Sequence, residues 1–224
     1  MGLLITVEGG EYTGKTSVVV PGLARYFEKK GIPVLVSREP GGTVEAEKMR
    51  KVIFEKMRTG APQEELAELF MKARQIHLKE RIIPFLGEHK QKNVVMILDR
   101  YLDSTRVYQG LEGGVSLEKI RQLERKYIDN YYPDLTLILF FPQEKFEATL
   151  KARMNDQRET TAWDNHTINR HQKRQDHYLT LPALSKKWGE NRHFVLIDAS
   201  QSPEVVVAKA IEARLPLVMN HFDI

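Results

Sequence analysis

Five short apolar runs, each closed by glycine, proline or a charged residue, punctuate the chain at 3–8, 32–37, 93–98, 135–140 and 193–197. Their length and β-branched content predict buried strands. Between them lie helical patterns over 17–30, 44–57, 63–85, 116–131, 143–154, 168–187 and 203–214, the sixth rich in Lys, Arg and His. Strands separated by helices call for an α/β fold with a five-stranded parallel sheet covered on both faces. Pro21-Gly22 interrupts the first helical pattern, and a proline there removes a backbone donor, so a kink or an offset is expected at that point. No internal repeat, low-complexity tract or Pro/Ser linker divides the chain, and its 224 residues read as one domain over 1–224.

Composition narrows the classes without choosing among them. No apolar run approaches membrane-spanning length, so no membrane association is expected. The apolar start is short and leads straight into glycines, which reads as a strand and not a signal peptide, and the expected location is the cytoplasm. With no cysteine, disulfides, thiolate metal sites and cysteine nucleophiles are excluded. A net charge of +4 points to an anionic partner. The arginines are scattered singly through distinct motifs instead of forming basic blocks with interleaved aromatics, which favours a small polyanion over nucleic acid.

The segment Gly9-Gly10-Glu11-Tyr12-Thr13-Gly14-Lys15-Thr16 fits the eight-residue phosphate-binding pattern, and Ser17 opens the helix behind it. An apolar strand before it and a helix after it let backbone amides and the positive helix end converge on ATP phosphates. Lys15 would span the β- and γ-phosphates, and Thr16 would ligate Mg2+. Such a loop serves kinases, GTPases and motors alike. The chain lacks an Asn-Lys-x-Asp guanine-reading sequence and is too short for a motor, which leaves a small kinase as the leading class.

Further chemistry sits at strand tips, where an open parallel sheet lines its ligand crevice. The second strand ends in Arg38-Glu39-Pro40-Gly41-Gly42-Thr43, and the third in Asp99-Arg100-Tyr101 followed by Ser104, Thr105, Arg106, Tyr108 and Gln109. Asp99 stands where such enzymes hold the magnesium shell, and Arg100 can grip phosphate bidentately. A structural ion pair would account for either residue in isolation. Phe70, Arg74 and His77 share one helical face as a wall of a pocket, although an aromatic on such a helix also serves as core, and His77 reads as structural. Lys151, Arg153 and Arg158 lead into a polar stretch without apolar periodicity. That stretch is either a solvated basic loop or a mobile lid over about 151–169 that closes on the phosphates.

Taken together, these segments and the closing Ile197-Asp198-Ala199 resemble the thymidylate kinase family, its bacterial type in particular, over most of the chain. The resemblance implies a P-loop NTPase fold that transfers phosphate from ATP to dTMP with Mg2+, in a homodimer packed through helices. It implies that Phe70 stacks on thymine, Arg74 bonds a base carbonyl and Arg38 and Arg100 hold the 5′-phosphate. Tyr108 would crowd the 2′ position, with Thr105 and Gln109 completing the acceptor wall, and Glu11 would touch the 3′-hydroxyl or the magnesium water shell. Tyr12 stands where the eukaryotic type carries an arginine, which shifts the catalytic cations to Arg153 and Arg158 beside Lys15 and Arg100. Arg106 stands where a small residue is usual, which puts an extra cation beside the acceptor site and would alter the accepted nucleotide. A kinase for another nucleoside monophosphate or a deoxynucleoside is the alternative, and a nucleotide-binding protein without turnover is a further one.

Overall fold

The computed structural model describes residues 2–90, 92–129, 131–155 and 167–213. Five parallel strands, β1 (Leu3–Gly9), β2 (Val34–Arg38), β3 (Val95–Asp99), β4 (Leu135–Phe140) and β5 (His193–Asp198), form one sheet in the order β2-β3-β1-β4-β5. β1 is central and registers Val7 against Asp99 on one side and Leu137 on the other. The expected strands are all present, each within two residues of the expected start.

The alternation of a strand assigns β1 residues to two cores. Leu3, Ile5 and Val7 pack with Leu23 and Phe27 of α1 (Val20–Lys29) and with Val206 and Ala210 of α9 (Pro203–Ala213). Leu4 faces the opposite core, with Leu78, Ile82, Met96 and Leu98. Thr6 and Glu8 share the face of Leu4, and Thr6 meets Thr136 of β4 at 2.9 Å. That face therefore turns polar toward the carboxyl end of the sheet, where the cleft lies.

The remaining helices are α2 (Val44–Arg58), α3 (Gln63–His77), α4 (Ile83–Leu86), α5 (Leu102–Thr105), α6 (Leu117–Tyr127), α7 (Phe146–Asn155) and α8 (Ile168–Lys187). Among the described residues no helix is long and apolar enough to cross a membrane. Two prolines are accommodated by one device. Val20 N–H bonds Lys15 O and Ile83 N–H bonds Leu78 O, five residues back in each case, immediately before Pro21 and Pro84. A proline ring crowds the carbonyl four residues earlier and offers no N–H, so the ladder widens by one residue and each proline falls in the first turn of the helix that follows. The first helix is thus offset at Pro21, as expected, and 63–85 is one run with a widened turn. The helical segment spanning α5 and continuing through a widened turn at Arg106–Glu112 was not expected from the sequence. Residues 101–110 are buried except Ser104, so polar and apolar positions alike face inward and no exposed face produces a periodic pattern.

Gly22 lets α1 approach α9. A Cβ there would lie 2.6 and 2.7 Å from the two methyls of Val207, a branched side chain with little room to yield. Glycine to alanine inside a helix ordinarily gains about 1 kcal/mol. Gly22→Ala is expected instead to lower the melting temperature by about 2–4 °C, because overpacking outweighs propensity. Val207→Ala in the same chain should restore it, and a Gly22→Ala protein that melts higher than the parent would remove the close contact.

Candidate active site

The cleft starts where β1 ends. Gly9, at φ 134°, lies so close to β4 that a Cβ would sit 2.4 Å from Leu139 O, and only glycine takes that backbone conformation readily. The chain then turns through Tyr12 (φ 64°) and Gly14 (φ 83°), also in the left-handed region, and Thr13 Oγ1 donates to Gly10 O at 2.9 Å to close the loop. Val18 and Val19 N–H both return to Gly14 O, and Ala24 and Leu23 anchor the following helix in the core. Lys15 is buried and donates to Gly10 O and, at 3.4 Å, to Thr13 Oγ1. Burial, and then the nearby Arg100 guanidinium, bring its ammonium down to about 8. Thr16 Oγ1 hydrogen-bonds Asp99 at the tip of β3, which puts a hydroxyl and a carboxylate side by side at the loop.

Glu8 is wholly buried, and its carboxylate gathers the next strand and α8. It accepts from Tyr101 N–H and Ser104 Oγ, both at 2.7 Å, and from Tyr178 OH at 3.3 Å. Between its partners lies Arg100, whose φ of 68° is unusual for a side-chain-bearing residue. Arg100 turns back across the cleft to Gly9 O (3.2 Å), Ser104 Oγ (3.2 Å), Tyr178 OH (2.9 Å) and Glu11 (3.3 Å). The strand-tip arginine is thus pinned against the phosphate loop.

Glu11 is the second buried carboxylate. Tyr108 OH and Arg100 donate to one oxygen, and Arg174 Nη1 donates to the other at 2.6 Å, with His171 Nδ1 3.4 Å away. Burial opposes its ionisation, but the hydrogen bond from His171 and the charges of Arg100, Arg174 and Lys15 together hold it well below the usual carboxylate range. Burial above all pushes the Tyr108 phenol up, so it stays a donor.

Beside this centre, Arg74 is buried and its guanidinium binds Glu39 (2.6 Å), Tyr101 O (2.9 Å) and Thr105 Oγ1 (3.3 Å). His77 bridges Glu39 and Ser37 at 3.0 and 2.8 Å and is fully buried, in line with its structural reading. Phe70 is half-buried on the same helix, and Gln109 is buried beyond Tyr108. Arg38 is largely exposed and pairs with Glu47 at 3.2 Å. Arg153 donates to Ala199 O at 3.5 Å, after β5, and among the described residues it has no hydrogen bond to the phosphate loop. Arg158 and the rest of the lid over 156–166 lie outside the described residues.

Arg106 does not stand beside the acceptor site as expected. It is fully buried and paired with Glu124 (2.7 Å), Glu190 (2.6 Å) and Asp103 (3.4 Å), with its guanidinium carbon 4.8 Å from the Trp188 ring centroid. Arg192 joins the same network through Asp103 and Thr136. A guanidinium with no water must find carboxylates, and these lie toward α6 and the end of α8.

Six further cleft residues were not picked out as site residues. Glu8 reads as the end of a strand, and Arg50 as one of many charges on α2. Arg50 donates to Pro40 O at 2.7 Å, and its pKa is lowered by burial and then by Arg38, so the two cations lie close together. His171, Arg174 and Tyr178 of α8 share one helical face at spacings of three and four, and Glu112 follows Tyr108 by four. That spacing was the available signal, but the basic richness of α8 reads as a solvated helix.

A family model described as thymidylate kinase matches residues 7–210, from the last residues of β1 into α9.

Burial, and then the negative charge of Asp103, push the Glu8 carboxyl up to about 7. The folded protein therefore keeps a proton there that the unfolded chain has already released, and this contribution to stability falls as pH rises from the ordinary carboxylate range through about 7. Glu8→Gln keeps the shape and removes the titration. Urea midpoints measured between about pH 5 and 8 should vary less in the variant than in the parent. An unchanged slope would assign the pH dependence to other groups.

Proposed function

The chain belongs to the thymidylate kinase family, and from that premise we propose how its residues divide the work of the transfer. It is a phosphotransferase that converts dTMP to dTDP with ATP. The observation that carries the proposal is the return of Arg100 from the tip of β3 to Gly9 O and Glu11, which makes the acceptor cation and the donor loop adjoining walls of one cleft.

On the donor side, the amides of Gly9 to Ser17 cradle the ATP phosphates. Lys15, still mainly cationic at neutral pH with its value near 8, spans the β- and γ-phosphates. Thr16 and Asp99 offer two hard oxygen donors in contact, which fits Mg2+, with Asp99 acting partly through water. When bound there, the ion would supply charge neutralisation to the phosphates.

On the acceptor side, Phe70 stacks on thymine and Arg74 exchanges part of its bonding to reach a base carbonyl. Thr105 and Gln109 line the same wall, and Tyr108 crowds the 2′ position against a ribose. Arg38 and Arg100 hold the 5′-phosphate, with Arg50 close enough to add its charge. Glu11 faces Tyr108 and Arg100 and not Asp99, which supports its assignment to the sugar 3′-hydroxyl over the magnesium water shell.

An oxygen of the dTMP phosphate is already anionic. It attacks the γ-phosphorus in line while the bond to the β-phosphate oxygen breaks, so ADP leaves and no general base is required. In the bacterial-type arrangement, Arg153 and Arg158 on the lid over about 151–169 close on the transferring group, exclude water and offset its charge. Arg153 must leave Ala199 O to do so. The chain acts as a single kinase domain in the cytoplasm and as a homodimer. The exposed Val44, Val52 and Phe54 of α2 support an apolar helical interface.

ADP release should be selective for dTMP when dTMP, dUMP, dCMP, dGMP, UMP and thymidine are offered separately with ATP and Mg2+. Turnover of thymidine in place of the monophosphates would overturn the roles of Arg38 and Arg100. Lys15→Ala should lower kcat by about a thousandfold or more with the melting temperature preserved. Near-parent activity would take Lys15 out of the transfer. Phe70→Ala should raise the KM for dTMP by about tenfold, with kcat less affected. An unchanged KM would return Phe70 to the core.

A further inference from the structure

Arg174 of α8 belongs to none of the motifs that define the phosphate loop or the strand tips, yet its guanidinium is bound to two carboxylates of the cleft. Its side chain is 0% exposed. Glu112 grips it bidentately, accepting from Nε at 2.8 Å and from Nη2 at 2.9 Å. The planar fork then has one direction left for Nη1, and it donates to Glu11 at 2.6 Å. The guanidinium carbon lies 4.5 Å from the Tyr108 ring centroid, and Arg100 lies 5.3 Å from the same ring, so each oxygen of Glu11 has its own arginine.

We propose that Arg174, oriented by Glu112, is a positioning residue that aims the Glu11 carboxylate at the 3′-hydroxyl of the acceptor sugar and thereby makes the enzyme demand that hydroxyl. The proposal rests on the reading of Glu11 given above and extends it to the residues that set its charge and direction.

The chemistry follows from what a carboxylate can do. An ionised carboxylate only accepts hydrogen bonds, whereas a protonated one also donates. Buried in a cleft, Glu11 would favour the protonated form, but hydrogen bonding from His171 and the charges of Arg100 and Arg174 reverse that preference. A fixed, ionised acceptor is well matched to a sugar hydroxyl. Facing an acceptor that lacks the hydroxyl, it loses a charge-assisted hydrogen bond and stays desolvated, which is the arrangement that rejects the deoxy analogue strongly. Lysine at 174 would keep the charge but could not bond Glu112 twice and Glu11 at once. Arg170, half-exposed and also on Glu112, adds charge without reaching Glu11.

The test compares dTMP with 3′-deoxythymidine monophosphate as acceptor in the parent, Glu11→Gln, Arg174→Lys and Glu112→Gln proteins, with melting curves for each. Arg174→Lys retains the buried charge, and Glu112→Gln perturbs the same link from its other end, so the result does not depend on one variant folding. Both are expected to raise the KM for dTMP by about tenfold with a smaller change in kcat, and to move the KM for the 3′-deoxy acceptor by less than about twofold. Glu11→Gln should erase most of the parent's preference for dTMP. If Glu11→Gln erases it but Arg174→Lys and Glu112→Gln weaken both acceptors equally, Arg174 is only a structural support and the inference falls alone. If Glu11→Gln leaves the preference intact, the 3′-hydroxyl reading of Glu11 falls and takes the inference with it.

Discussion

Glu8, one residue before the end of the central strand, is fully buried, so its oxygens must be satisfied from within the chain. The donors that answer it are Tyr101 N–H and the hydroxyls of Ser104 and Tyr178, contributed by the turn after β3, by α5 and by α8. Satisfying this one group fixes the turn in which Arg100 takes its left-handed backbone conformation. It also fixes the side chains that guide the guanidinium back over the phosphate loop. A carboxylate in the core is costly, and here the cost is set against a cleft whose two walls cannot separate without leaving it unpaired.

The cleft is organised as a lattice of alternating charge. Glu11, Glu39 and Glu112 interleave with Arg74, Arg100 and Arg174, so each guanidinium is held at two or more points. Arg100, the one of these cations proposed to hold the acceptor phosphate, is thereby kept in place with little left to reorganise when an anion arrives, as electrostatic preorganisation requires. A second lattice joins Asp103, Glu124 and Glu190 with Arg106 and Arg192, and its side chains are buried. Asp103 stands one residue before Ser104 and contributes to raising Glu8, which ties the two lattices together.

Backbone geometry serves the same end. The widened turn after Gly14 carries Pro21 past the phosphate loop without breaking the helix, and the widened turn at Arg106–Glu112 carries Tyr108 and Glu112 into the cleft. Both lie beside groups that touch the loop.

The sequence by itself determined the sheet, its strands and the phosphate loop, because these depend on local signals: buried apolar runs, glycines at obligatory turns and a proline that must offset a helix. The place of Asp99 and Arg100 at the tip of β3 was legible because a strand end is a place as well as a composition. The helix over 102–112 was not, since burial on every side leaves no periodicity to read. Arg106 was misplaced for a related reason: a formal charge does not say which carboxylate answers it, and two of its three partners, Glu124 and Glu190, are 18 and 84 residues away. The roles of Glu8, Glu112 and Arg174 were decided only in three dimensions. Arg174 meets Glu11 across 163 residues of chain, and a charged residue on a basic helix looks solvated until the fold closes over it.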